Sequence, residues 1–422
     1  MDSCQLFHGW LPSQKGRFFN MKRSDRITPE GTRDLLFEEC VARRRVEGLL
    51  RQLFETNAFR EVMTPGFEFY DVFDANAGDF PQESMYKLVD GKGRLLVVRP
   101  DSTIPIARLT ATKLQGHRLP IRLYYAQRIY RSRPTMSGRS DEVMQMGVEL
   151  IGSGSPKADL EVLTTAAQSL DSCGVADYRM EIGHIGIYKQ LMEGLDVSGQ
   201  VKEDIRSSIE SKNYAALNDL LDGIGESPIA GVLKKLPALF GGREVFSQAR
   251  TLFEIVHDPD LEASLDYLEE IYQSLEALGL GDRVMVDFGM VNQAEYYTGI
   301  IFRGYTAAVG EPVLSGGRYD RLCGSFGESL AAVGFAVDVD SIANVLLDRG
   351  EIRADCPRLL VFGDRESVSS SLSYFRQLTR QGILCEYSLF DTLEESMEYA
   401  AQRGIGEVHR LEAGQIQIIK LV

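Results

Sequence analysis

The sequence predicts an α+β protein with a helical insertion and a small α/β unit at its C-terminal end. Three observations predict it. Short extended runs with strand character fall between 61 and 151 and return between 283 and 337. The stretch from 187 to 280 is almost continuously helical in pattern, broken at Gly223–Pro228 and Gly241–Gly242. Beyond a register change at Asp355–Pro357, the chain alternates strand, helix, strand, helix and then short strands.

Residues 1–20 show no period and read as an N-terminal extension or a mis-assigned start, with Met21 a more ordinary beginning. The body then runs over 21–350. Phe37–Asn57 reads as a helix with Val41, Val46, Leu49, Leu50, Leu53 and Phe54 on one face. Extended segments follow at Glu61–Pro65, Arg94–Pro100 and Ile121–Arg131. Tyr130–Gly152 reads as a hairpin with a long tip, and Pro156 opens a helix at its first turn. Arg283–Phe288, the stretch FGMVNQAEYYTGIIF (Phe288–Phe302) and Ala331–Val337 supply further strands, and 356–422 forms the terminal α/β unit.

Composition narrows the function classes. The chain has 422 residues, 44% apolar and 25% charged, as expected of a globular protein with a substantial core. Its longest apolar runs, such as Leu95–Val98, are far too short for a membrane span, and no leader-like start is evident, so a cytoplasmic protein without a membrane partner is expected. Six scattered cysteines with no CxxC, and five histidines that do not cluster with them, predict free thiols and no metal site. A net charge of −15 weighs against a polyanionic partner, despite the arginine-rich stretch of Arg122, Arg128, Arg131, Arg133 and Arg139.

Four clusters carry chemistry. In VRPDSTIPIARL, Asp101 and Thr103 offer a carboxylate and a hydroxyl suited to an ammonium group, or else cap backbone amides in a turn. On the return strand of the hairpin, Gln145, Gly147 and Glu149 alternate onto one face, which lines a polar pocket or meets solvent, since an unpaired buried carboxylate is costly. Arg131 at the opposite strand holds an anion there or pairs with Glu149. In the third cluster, Tyr297 and Glu295 share one strand face, and Tyr296 and Thr298 the other. The fourth, SGGRYD (Ser315–Asp320), reads as a phosphate loop or a hairpin turn. His184 is isolated and reads as structural. No cluster pairs a nucleophile with a base.

In order, TPEGTRDLL, VMTPGFE, ESMYKLVDGKGRLLVVRPDST, YRSRP through VELIG, AEYYTGIIF and SGGRYDRL with VGFAV resemble the class II histidyl-tRNA synthetases and their paralogue, the regulatory subunit of ATP phosphoribosyltransferase. The resemblance runs from Thr28 nearly to the C-terminus. It implies a class II aminoacyl-tRNA synthetase-like antiparallel sheet flanked by helices, and a shortened anticodon-binding-like C-terminal unit. It implies a histidine pocket: Asp101, Thr103 and Gln145 on the amino group, Glu149 and Tyr297 on the imidazole, Tyr125 at a further wall position and Arg131 at the α-phosphate grip. Asp101 is shorter than the family's usual Glu. It also implies lost adenylation positions: Asn292 and Ser341 stand where synthetases have arginines, and Val143 where they have an adenine-stacking Phe. Arg133 occupies a position usually held by Glu.

Adenylation depends on cations that stabilise phosphate charge, and losing one such donor costs about 10²–10³ in rate. The resemblance therefore favours the paralogue: a non-catalytic, cofactor-free subunit of the short-form ATP phosphoribosyltransferase catalytic subunit. It implies a homodimer within a hetero-octamer, histidine as ligand and no tRNA. An active, divergent histidyl-tRNA synthetase is the alternative.

Overall fold

The structure is a computed structural model describing residues 26–74, 82–133, 140–291, 296–412 and 414–421. The extension at 1–20, the hairpin tip at 134–139 and the segment 292–295, with Asn292 and Glu295, lie outside the described residues. The chain divides into two compact units, one over 24–352 and the other including 353–422.

The larger unit is built on a nine-stranded sheet. Its strands are β1 (Arg60–Glu61), β5 (Ile121–Tyr130), β6 (Glu142–Ile151), β7 (Arg179–His184), β8 (Phe240–Gly241), β9 (Val284–Asp287), β10 (Ile300–Thr306), β11 (Val309–Arg318) and β12 (Ala332–Asp338). They lie in the order β1-β5-β6-β12-β11-β10-β7-β9-β8. Six of the eight pairings are antiparallel; β1 with β5 and β7 with β9 are parallel. A small antiparallel sheet, β2 (Phe67–Phe69), β4 (Leu95–Val98) and β3 (Lys87–Val89), stands beside it.

Helices α1 (Glu38–Thr56), α4 (Pro156–Ser172) and α11 (Val339–Asp348) pack on the sheet through β6 and β12. Met146, Val148 and Leu150 of β6 are buried in the shared core. The pleat sends Gln145, Gly147 and Glu149 to the opposite side. A helix packed on one face of a sheet leaves the other for a binding site, and this alternation decides which residues line it. Pro156 occupies the first turn of α4, where its missing N–H costs nothing, and Ser155 caps the amide of Lys157.

Between β7 and β9 the chain forms α5 (Ile185–Glu193), α6 (Gly199–Glu210), α7 (Tyr214–Gly223), α8 (Pro228–Lys235), α9 (Glu244–Phe253) and α10 (Pro259–Ala277), with only the two-residue β8 among them. Ser198, Asn213, Ser227 and Asp258 each cap the helix that follows, so capping side chains set the punctuation of this segment. Among the described residues no helix is long and apolar enough to cross a membrane.

In the smaller unit β14 (Cys385–Tyr387), β13 (Leu359–Gly363), β15 (Glu407–Glu412) and β16 (Gln415–Lys420) form a sheet in that order, parallel except for the β15–β16 hairpin. Leu359 and Val361 pack with Leu378 of α12 (Val368–Arg380). Leu360 and Phe362 pack with Ala400 of α13 (Leu393–Gln402) on the other face. Strand-helix-strand crossovers dictate that sandwich, because both faces of a parallel sheet need cover.

Candidate functional site: a tyrosine-walled carboxylate pocket

Glu149 is the centre of the site. Its side chain is 1% exposed, yet its two oxygens accept hydroxyl protons from opposite walls. Thr103, first residue of α3 (Thr103–Lys113), donates to Oε1 at 2.8 Å, and Tyr319, just past β11, donates to Oε2 at 2.5 Å. Burial pushes the carboxyl up to about 8; the two hydroxyls pull it down, while the nearby charge of Asp101 adds to the rise. The group therefore favours its protonated form at neutral pH, in which one carboxyl O–H donates to the Thr103 or Tyr319 oxygen instead of accepting from it, and that proton can pass to a basic ligand.

Asp101, buried beside it, plays both roles that its sequence context left open. One oxygen caps the amide of Ile104 at 3.0 Å, and the other lies 3.5 Å from Arg131 Nη2. Burial raises its carboxyl, and Arg131 opposes that rise. Arg131 thus pairs with Asp101 rather than Glu149, and its Nε donates to the Pro100 carbonyl at 2.7 Å. Asp101 and Thr103 do not lie in one extended segment, because the chain turns directly into α3.

Tyr125 on β5 and Tyr297 are buried against the same carboxyl groups; burial raises both phenols above their ordinary range, and the charges of Asp101 and Glu149 add to the rise. Tyr296 and Tyr297 precede β10 rather than lying in a strand, and their ring centroids are 4.8 Å apart. The expected split onto opposite strand faces is therefore incorrect: the Gly299 turn comes first, and Lys189 fixes the Tyr297 carbonyl from α5 at 2.8 Å.

SGGRYD is neither a phosphate loop nor a hairpin turn. Ser315–Arg318 run inside β11, and the glycines provide room. A Cβ on Gly317 would lie 2.8 Å from the Tyr297 ring, one on Gly147 would lie 2.6 Å from the Tyr125 hydroxyl, and one on Gly334 of β12 would lie 1.8 Å from Glu149 Oε2. Tyr297, Tyr125 and Glu149 thus each lie over a glycine of another strand. We predict that Gly334→Ala lowers stability by about 3 kcal/mol, an overpacking cost that cannot relax because the new carbon also meets the Val148 carbonyl at 2.5 Å. An unchanged thermal midpoint would show that β6 and β12 can part locally.

Gln145 lines a wider cleft of about 1460 Å³ that reaches Arg131, Arg133, Val143, Arg303 and Ser341. Val143 brings no ring to stack on a base. Ser341 lies in the first turn of α11, where its amide is capped by Asp338 at 3.0 Å. Asp340 beside it is engaged by Arg43 Nη2 at 2.5 Å. The region around Ser341 thus carries carboxylates, one already paired.

Two more arginines of the expected basic stretch are also committed, Arg122 to Glu161 and Arg128 to Glu142, while Arg139 lies outside the described residues. His184 ends β7 against the Tyr267 ring, and burial lowers its imidazole to about 4, as does the charge of Arg318.

Sequence reasoning missed Tyr319, the room that Gly147, Gly317 and Gly334 make for the side chains above them, and a buried pair formed by Asp159 and Arg318. The signal for Tyr319 was its place directly after Gly-Gly-Arg, in a block singled out for its glycines.

The model of the histidyl-tRNA synthetase family matches residues 31–342. An ATP phosphoribosyltransferase regulatory subunit from Clostridium kluyveri is 40% identical over 381 residues, 89% of this chain and 97% of the relative. The chain belongs to the family of ATP phosphoribosyltransferase regulatory subunits. Another regulatory subunit, from Bacillus thuringiensis subsp. konkukian, is 36% identical over 411 residues, 95% of both chains. Among solved structures, an ATP phosphoribosyltransferase regulatory subunit/histidyl-tRNA synthetase from Bacillus halodurans C superposes with a TM-score of 0.78 at 27% identity, covering 90% of this chain and 97% of its own. A histidyl-tRNA synthetase from Nostoc sp. PCC 7120 shares the fold at 18% identity, with a TM-score of 0.73 over 93% of this chain and 96% of its own. The regulatory-subunit family thus keeps the class II synthetase-like architecture expected from the sequence.

Proposed function

We propose that this chain is the non-catalytic regulatory subunit required by a short-form ATP phosphoribosyltransferase catalytic subunit, acting in the first step of histidine biosynthesis. Histidine binds in the pocket of Asp101, Thr103, Tyr125, Gln145, Glu149 and Tyr297, with Arg131 holding its carboxylate side, and takes part in feedback inhibition. The observation that carries this reading is the 40% identity, over nearly the whole of both chains, to a protein named as that subunit. The pocket chemistry supports the ligand: buried acids and hydroxyls around Glu149 suit an ammonium and an imidazole. Two such polar groups are recognised well only where each buried partner is satisfied.

Adenylation is lost in this reading. Ser341 replaces a cation with a hydroxyl beside Asp338 and Asp340, and Val143 offers no base stacking, while Asn292 removes a second cation from the sequence. The acidic balance of the chain supports a protein partner over tRNA, and the chain enters a hetero-octamer as a synthetase-like dimer. Two measurements test this. The purified chain is expected to give no histidine-dependent exchange of pyrophosphate into ATP, and measurable exchange would establish the alternative, a divergent histidyl-tRNA synthetase. Co-expression with a short-form catalytic subunit should yield a complex active only when both are present and inhibited by histidine.

A further inference from the structure

The helical segment α5–α10 is tied to the pocket at both of its ends. At its start, Lys189 of α5 donates Nζ to the Tyr297 carbonyl at 2.8 Å, and the Ile185 amide donates to the Gly299 carbonyl at 3.0 Å. Toward its finish, the Tyr267 hydroxyl of α10 donates to Asp159 Oδ2. Asp159 in turn holds Arg318 through Nε at 3.0 Å and Nη2 at 2.7 Å. The next residue is Tyr319, whose hydroxyl is bound to Glu149.

The two ties converge on one wall. The Thr298 amide donates to the Arg318 carbonyl at 2.7 Å, and the Asp320 amide to Thr298 Oγ1 at 3.0 Å, so the turn carrying Tyr297 and the strand end carrying Tyr319 are joined. The Tyr296 ring bridges them, 4.8 Å from Tyr297 and edge-on to Tyr319 at 6.0 Å. Packing alone would not call for this wiring. An apolar contact holds a helix on a sheet at no desolvation cost, whereas a buried carboxylate and guanidinium are costly unless fully paired. What the polar links add is direction: they fix two specific pocket walls relative to two specific helices.

The geometry points to Lys189 and Tyr267 as positioning residues that couple the helical segment to occupancy of the pocket. Histidine held between Glu149 and Tyr297 tightens both ties, and α5–α10 is the element in which the occupied pocket becomes legible to a partner. The inference rests on the histidine reading of the pocket. Coupling is reciprocal, so loosening either tie weakens histidine by the factor through which histidine steadies the helices.

The test uses the full chain and L-histidine, with calorimetry and amide hydrogen exchange. In the wild type, histidine should slow exchange in α5 and α10 as well as in β6. Lys189→Met and Tyr267→Phe should each weaken binding about five- to tenfold and erase the protection in α5 and α10, with melting temperatures within a few degrees of the wild type. Lys189→Arg, which restores a donor to the Tyr297 carbonyl, should recover both readouts. Histidine binding with protection confined to the sheet, or wild-type affinity in both variants, overturns the coupling alone. No binding to the wild type overturns the pocket reading and the coupling with it.

Discussion

Replacing Glu149 by Gln should make the protein more stable at pH 8 while weakening its hold on histidine at least tenfold. The reason lies in the cost of the buried carboxylate. Its folded value near 8 stands above the ordinary 4.5, so between those pH values the folded chain keeps a proton that the unfolded chain releases. The group's contribution is therefore intact below about pH 4.5 and is lost as pH rises through 8. A displacement of that size corresponds to roughly 4–5 kcal/mol in full. Relaxation and water penetration reduce it, and a gain of about 2 kcal/mol for the variant at pH 8 is expected. Gln keeps the shape: its carbonyl oxygen accepts from one of the two hydroxyls and its amide N–H donates to the oxygen of the other, so both hydroxyls keep a bond to the side chain.

Binding moves the other way. A hydrogen bond to a charged partner contributes about 1.5–3 kcal/mol, and the amide cannot share a proton with an imidazole. In the wild type, affinity should also decline above about pH 8, because Glu149 and the ligand imidazole have then lost the proton that lets them form a carboxylate–imidazolium pair, leaving only the neutral imidazole N–H to donate. Thermal denaturation at pH 6 and pH 8, with calorimetry across the same range, checks both arms. A variant that melts lower at pH 8 would mean that Glu149 is stabilised as an ion. A variant whose complex with the catalytic subunit keeps its histidine inhibition would remove this pocket as the sensor.

The second large effect is expected at Asp159. The carboxylate is fully buried and Arg318 is 6% exposed, and the pair joins α4, the end of β11 and α10. Asp159→Ala should cost about 3–5 kcal/mol, since it leaves a buried guanidinium without its partner. Replacing both residues, as Asp159→Leu with Arg318→Met, should recover most of that loss, because an apolar pair of similar volume avoids the desolvation penalty. Urea denaturation of the single and double variants decides it. A double variant as unstable as the single one would show that Arg318's bonds to the Ser153 carbonyl and Asp320 carry the stabilisation instead.

Much of the architecture was legible because periodicity reports burial. Phe37–Asn57 and Pro156 onward read as helices and are α1 and α4, and the unbroken apolar run of 359–362 reads as a strand and is covered on both faces. Alternation also placed Gln145, Gly147 and Glu149 on one face before any partner was visible. Local pattern failed where a residue's role depends on what crosses it. Tyr296 and Tyr297 look like strand residues, yet they sit in a turn held by Lys189 from a helix 108 positions earlier in the chain. Gly316 and Gly317 look like a loop, yet they lie inside β11, where Phe302 of the neighbouring strand and Tyr297 of the turn before it take up the space.

Sequence alone set most of the element types, the order of the blocks and the residue types available to a histidine pocket. Each of those follows from propensity, spacing and resemblance, which are properties of short segments. The tertiary structure alone settled which groups meet: Tyr319 on Glu149, Arg131 on Asp101, Arg318 on Asp159, and a glycine beneath Tyr125, Glu149 and Tyr297. Those pairings join residues up to 170 positions apart, set by strand register and helix packing. They also decide protonation, because desolvation acts on a carboxylate only after the whole fold has closed around it.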